Sequence, residues 1–371
     1  MKRYFIWLSF LWILLAMPLA AQTSRIWVTN YGSKTISIID ATTNKVVQTI
    51  TSVEKPYAMV FSPDGSKAYI TNQASCEYSK DLSLGGNSCK DSAKPTLEVM
   101  DLKSGKIIKQ VPLSGPPSLS AITKDGKKVL INVKAAPPTG GIDVVDTTSL
   151  ELVKTIPLAG AMHDTFKTQD GKYVIAGASS AGFHQSSYPL VVIDLQTEQP
   201  AWEVRSQEAV LTFAIESAPD GSARRIFVEH RGLHGFSVVD FAKRQEVATV
   251  KFPDDPKFDF DGDMTPTHGT EITPDGKTLW IASRGANKLY IYSLPELKLV
   301  GQVYMPELEV PGKPVQGGDP HWITFTPDGK TAYVPMAAME TLAAVDVNTM
   351  KVVASIPVGK DPSRPIAQPM R

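Results

Sequence analysis

The sequence predicts an all-β ring of seven four-stranded antiparallel blades, a β-propeller closed by pairing of its N- and C-terminal segments. Three observations predict it: a recurring hairpin turn, an apolar strand ending in Asp that follows each turn, and an N-terminal unit short of one strand. The turn reads SPDGSK, TKDGKK, TQDGKY, APDGSA and twice TPDGKT, with its glycine at Gly65, Gly126, Gly171, Gly221, Gly276 and Gly329. In such a turn Asp closes the bend and Gly takes a positive φ. Strand-like runs such as YAMVFS and HWITFT precede it, and runs such as KAYITN and KTLWIAS follow. These are the first and second strands of each unit.

The third strand is the one that ends in Asp: TISIID (Asp40), LEVMD (Asp101), IDVVD (Asp146), LVVID (Asp194), FSVVD (Asp240) and LAAVD (Asp346), with LYIYS (Ser293) as the variant copy. A short polar turn and a fourth strand such as KVVQTI, KIIKQV or KVVASI complete the unit. Four antiparallel strands per repeat make a propeller blade. Residues 25–55 supply only three strands, RIWVTN, TISIID and KVVQTI. The segment SRPIAQPM, where a further repeat would begin, supplies the missing innermost strand, so the ring closes without a free sheet edge. The expected organisation is a signal peptide over 1–21 and a single propeller domain over 22–371.

The totals agree with an exported globular protein. Among 371 residues, 38 are basic and 38 acidic, a balance that offers no extended nucleic-acid surface. The N-terminus, MKRYFIWLSFLWILLAMPLAAQTS, has a basic start, an apolar run and small residues at Ala20 and Ala21. That is the layout of a cleaved signal peptide, and the apolar run is short of the ~20 residues that a span needs. A periplasmic or extracellular location follows, with no membrane span after cleavage. Cys76 and Cys89 lie in the polar insertion ASCEYSKDLSLGGNSCKD; in an oxidising compartment they are expected to form a loop-stapling disulfide.

The stretch IWVTNYGSKTISIIDATTNKVVQTI resembles the YVTN-type propeller repeat of exported bacterial and archaeal proteins, and the resemblance runs over essentially all of residues 25–365. It implies the fold. For function it implies little, because relatives include surface-layer proteins, lactonase-like enzymes, and the haem d1 and copper propellers of denitrification.

Strand alternation sorts the loops. The short Asp-Gly hairpins and the TTNK-type turns lie on one face. The long segments lie on the other: the Cys76–Cys89 insertion, KAAPPTGG, SSAGFHQSSYP, FPDDPKFDFDGDMTP and YMPELEVPGKPVQGGD. Long loops at one mouth of a rigid scaffold are where ligands or a protein partner meet it. Eight residues before each hairpin glycine, at the start of the innermost strand on that face, the chain reads Tyr57, Ser118, His163, Phe213, His268 and His321, with Ser363 in the split blade. Three histidines at one repeat position point to a site. His230, ten residues before Asp240, is placed at the second-strand end on the same face and is counted as a fourth.

His163, His230, His268 and His321 are therefore the candidate ligands for a transition metal (Cu, Fe or Zn) or a haem-type cofactor, since imidazole suits all of these. Asp164 and Asp319 stand beside them as partners for ring nitrogens or as ligands themselves. A lactonase-like enzyme is the alternative, with His268 or His321 as acid or base, Arg231 or Arg284 holding a carboxylate, and Glu229 or Glu271 as a further acid. A non-catalytic binding or scaffold protein is the third reading, with the histidines bonded to carbonyls and water. His184 and His234 are read as loop residues, and Asp259, Asp261 and Asp263 as a solvated acidic loop without the calcium-loop order. Trp27, Trp202 and Trp280 are expected to pack between blades, while Trp322, next to His321, is placed to wall the site.

Overall fold

A computed structural model of the chain describes residues 24–369, apart from 52, 74–75, 79–86, 90–94, 135–139, 181–186, 256–264, 310 and 313–314. The expected signal segment, His184, and Asp259, Asp261 and Asp263 lie outside the described residues. The fold is the predicted one: seven four-stranded antiparallel sheets and two small hairpins, with a short 3-10 turn at Ala337–Met339. No helix among the described residues is long and apolar enough to cross a membrane.

Blades one to six begin with the innermost strands Pro56–Phe61, Pro117–Ile122, Ala161–Lys167, Val210–Ser217, Thr267–Ile272 and Thr324–Phe325. The split blade pairs Arg25–Asn30 with Pro362–Ala367, in the register Ile26↔Ala367, Trp27↔Ile366, Val28↔Pro365 and Asn30↔Pro362. The last strand of the chain is thus the innermost strand of a sheet that the N-terminus begins. The core lies between blades. Trp27 packs edge-on to Phe61 across one seam at 5.5 Å, and Trp280 to Phe325 across another at 5.5 Å.

The six turns are near copies of one solution. In each, the Gly N–H donates to the carbonyl three residues back at 2.8–3.0 Å. The glycine φ values run from +63° to +84°, a region that a side chain disfavours. The turn Asp accepts from the hydroxyl two residues before it wherever that residue is Ser or Thr, as Asp328 does from Thr326 at 2.6 Å. The hydroxyl of Ser62 and its neighbours hold the Asp64 carboxyl down at about 2. These residues serve the fold.

The opposite ends of the innermost strands are irregular in every blade. Register shifts fall between Pro56 and Ala58, Pro117 and Ser120, Met162 and Asp164, Val210 and Phe213, and Thr267 and Thr270. The closing strand shifts between Val28 and Asn30, opposite Ser363 and Arg364. In blade six, residues 321–323 fall outside the regular pairing, between the Pro320↔Met336 bridge and Thr324↔Tyr333, and the His321 N–H still reaches the Pro335 carbonyl at 3.2 Å. A bulge re-aims the side chains it carries, and here it does so around one mouth of the channel. In the long insertion, Cys76 is paired in register with Cys89 across the hairpin Cys76–Tyr78/Asn87–Cys89.

Candidate functional site

Three of the four candidate histidines meet at this mouth. His163 and His268 lie edge to face with ring centroids 5.4 Å apart, and His268 and His321 with centroids 5.9 Å apart. Trp322 joins them, its ring 4.6 Å from His268 and stacked near-parallel to His163 at 6.2 Å. The expectation that Trp322 walls the site is met by an unusual backbone. Asp319 and Trp322 both have left-handed φ, at 58° and 60°, a conformation that costs a non-glycine residue on the order of 1–3 kcal/mol. The Trp322 N–H donates to the His268 carbonyl at 2.8 Å, which ties blade six to blade five at this point. Gly269 makes the approach feasible: a Cβ there would lie 2.2 Å from the Trp322 nitrogen.

The ring nitrogens are held in a way that limits their chemistry. His163 Nδ1 is 2.6 Å from an oxygen of the fully buried Asp164 carboxylate, which accepts a hydrogen bond from the ring N–H. His321 Nδ1 is 3.0 Å from the Asp319 carbonyl, which can only accept, so this nitrogen is the protonated one. In the neutral form of either ring the electron pair therefore sits on Nε2. His268 Nδ1 is buried without a hydrogen-bond partner among the described residues. Loss of solvent, then the nearby His163 and His321, hold His268 well below the ordinary imidazole range. Burial also lowers His321, against the opposing pull of Asp319.

A charged frame surrounds the rings. Arg284 grips Asp319 with two parallel bonds, Nε to Oδ1 at 2.5 Å and Nη2 to Oδ2 at 3.0 Å, and spends Nη1 on Thr265. Burial opposes ionisation of Asp319, but this guanidinium outweighs it and holds the carboxyl below its usual range. Glu229, fully buried, accepts from the Gly269 N–H at 3.3 Å. Burial pushes its carboxyl up to about 8. Glu271 is raised by the same cause to about 7. A cleft of about 240 Å³ opens onto this group, with Tyr57, His268, Arg284, His321, Trp322 and Ser363 in its walls.

His230 is not brought to the other three. It is the last residue of its second strand, as expected, but its Nε2 bonds the Ser237 hydroxyl at 2.7 Å and its Nδ1 faces the Ser206 hydroxyl at 3.4 Å. Asn30 occupies the same strand end in the split blade and bonds Ser37 at 2.9 Å; Asn72 does so in blade one and bonds Glu98 at 3.1 Å. Side chains at this position turn toward the neighbouring third strand, so His230 takes the place of an asparagine inside the sheet. Arg231 follows on the turn, its N–H bonded to the Ala209 carbonyl at 2.9 Å, and it does not line the cleft. His234 bonds Ser283 at 3.1 Å and packs on Phe252 and Tyr290.

Blade four departs in a second way. Its first two strands run Val210–Ser217 and Ala223–His230, eight residues each against six in blade five. Counting back from Gly221 therefore lands too deep, on Phe213, which packs against Phe166 at 4.9 Å. The residues at its mouth bulge are Leu211 and Thr212. Arg364, absent from the candidate residues, was within reach of the same count. It follows Ser363 in the split blade.

No family model matches the chain. Solved structures that it resembles include a Kuenenia stuttgartiensis hydrazine synthase chain (19% identity, TM-score 0.66, covering 87% of this chain and 92% of that one). Another is the periplasmic gluconolactonase of Pseudomonas aeruginosa (17%, TM-score 0.68, covering 94% and 99%). A third is a dihydro-heme d1 dehydrogenase in complex with DHE (15%, TM-score 0.57, covering 92% and 74%). At these identities the likeness is one of fold, that of the seven-bladed propeller.

Proposed function

We propose that this is an exported propeller that binds a metal-containing cofactor at its histidine mouth, through Nε2 of His321 or His268 with His163 behind them. The observation that carries this reading is the anchoring of Nδ1 in His163 and His321, which leaves Nε2 as the electron-pair donor, the arrangement common in metal-ligating histidines. His230 is bonded to Ser237 within its own sheet, so among the described residues His163, His230, His268 and His321 are not assembled as a four-histidine Cu or Zn cage. A haem-type group carries ligands of its own and would ask the protein for one imidazole, which His321 or His268 would supply. Such a group would supply redox or ligand-exchange chemistry. The chain's own residues would keep His268 and His321 neutral by burying them, hold ring orientation through Asp164 and the Asp319 carbonyl, and place the Arg284–Asp319 pair beside them. The dihydro-heme d1 dehydrogenase among the similar folds supports the reading by analogy of architecture alone.

A second reading takes the cleft as the site of a small lactone, with His268 or His321 as base; its volume of about 240 Å³ favours this. Arg284 fits that role poorly, since it is already committed to Asp319 and Thr265. Elemental analysis and an absorption spectrum of untagged protein from an exporting host separate the two. Near-stoichiometric metal or a haem-like band is expected, lost when His163, His268 and His321 are all replaced by Ala. A wild type that is metal-free and takes up none of added Cu, Zn, Fe or haem sinks the cofactor reading and leaves lactone hydrolysis to be assayed. The mass of the same preparation reads whether residues 1–21 are removed and whether Cys76 and Cys89 are joined.

A further inference from the structure

Below Trp322, on the side away from the histidines, the channel opens into a second cavity of about 310 Å³ at the turn end. Arg364 reaches into it from the closing strand. Its guanidinium lies over two aromatic faces, 4.5 Å from the Phe166 ring centroid and 4.9 Å from that of Trp322. Those contacts satisfy the flat faces of the cation and leave its N–H edge, which carries five donors, unaddressed. Among the described residues no hydrogen bond or ion pair within 4.0 Å engages that edge; Asp164 and Glu271 act on it only at longer range.

Lys167 stands at the outer lip and adds positive charge, and no carboxylate lines the cavity. The remaining wall is apolar and includes Met59, Phe61, Leu119, Ile122 and Ile366.

We infer that this cavity is a second ligand site, for a small monocarboxylate with an apolar body. The carboxylate meets the N–H edge of Arg364, and the body lies along the apolar wall toward the turn end. Guanidinium and carboxylate match as a two-pronged pair. The apolar wall selects against inorganic oxyanions, which would leave it wet. Lys134, with its own attraction to Asp164, offsets that carboxylate on the far side of the partition. The site is independent of the cofactor reading, because the indole of Trp322 separates it from the histidine cleft.

Titration of the full-length protein with acetate, hexanoate, benzoate and inorganic phosphate tests the assignment, read by calorimetry and by tryptophan fluorescence. Hexanoate or benzoate is expected to bind saturably with Kd below about 1 mM, and acetate and phosphate at least about tenfold more weakly. Arg364→Gln is expected to weaken binding by about tenfold or more, and Arg364→Lys, which keeps the charge without the fork, by roughly three- to tenfold. His321→Ala is expected to leave the titration unchanged. Absence of saturation with every carboxylate, equal affinity for phosphate and benzoate, or an Arg364→Lys protein that binds as the wild type does would each overturn it. Arg364→Lys keeps the test decisive if Arg364→Gln fails to fold.

Discussion

The two sides of the Trp322 indole present opposite chemistry. Toward the long-loop mouth the channel offers electron pairs: Nε2 of His163 and His321, with Nδ1 protons fixed by Asp164 and the Asp319 carbonyl. Toward the turn end it offers protons, from the guanidinium of Arg364. One ring of innermost strands builds both, so the difference comes from which residue each mouth bulge carries and how far along its strand it points. A repeat scaffold can thus hold two unlike sites on one axis, provided that something keeps them apart.

Removing the partition is the severest test of that separation. Trp322→Ala deletes a 4% exposed indole that contacts His163, His268 and Arg364, and a loss of about 3–5 kcal/mol is expected in denaturant unfolding. In the variant that folds, a carboxylate titration should begin to depend on His321→Ala. Continued independence of the two sites would show that Trp322 is not the divider.

A smaller effect sharpens the description of the histidine side. Glu229 titrates near 8 in the fold against a reference of 4.5. The folded protein therefore holds a proton that the unfolded chain releases; the associated stability is complete below about 4.5 and is lost as pH rises through about 8. His268 works the other way, but only below 6.5, its unfolded value. Between about pH 6.5 and 8 the wild type should lose stability, and Glu229→Gln should flatten that loss by up to about 1.4 kcal/mol per pH unit. Parallel urea midpoints for the two proteins across this window would contradict the raised carboxyl.

The smallest effect concerns the histidine that the structure places elsewhere. His230→Asn restores the residue found at the same strand end in two other blades, so a change within about 1 kcal/mol is expected. Metal content or absorption should be unaltered. A loss of either would return His230 to the site.

The architecture was legible because the turn repeats in residues whose local physics is strong: Asp328 and its counterparts close the bend, and Gly329 and its counterparts adopt the φ that the bend needs. His163, His268 and His321 were legible because they share one position in that repeat. His230 was misplaced because strand-end position was right but side-chain direction was not; the direction is set by the third strand alongside, through Ser237. Phe213 was misplaced because two extra residues in each strand of the blade-four hairpin shift the count. The partition itself could not be counted from the repeat. It depends on left-handed backbone at Asp319 and Trp322, and on the lack of a side chain at Gly269 across the seam.

The strand Pro362–Ala367 closes the ring, and the same six residues carry Ser363 into the upper cleft and Arg364 into the lower cavity. Translation therefore delivers the latch and a share of both working surfaces together, after every other blade has been made. A chain cut short before Pro362 would lack all three at once. Closure of the ring and the placement of Ser363 and Arg364 are thus a single docking event.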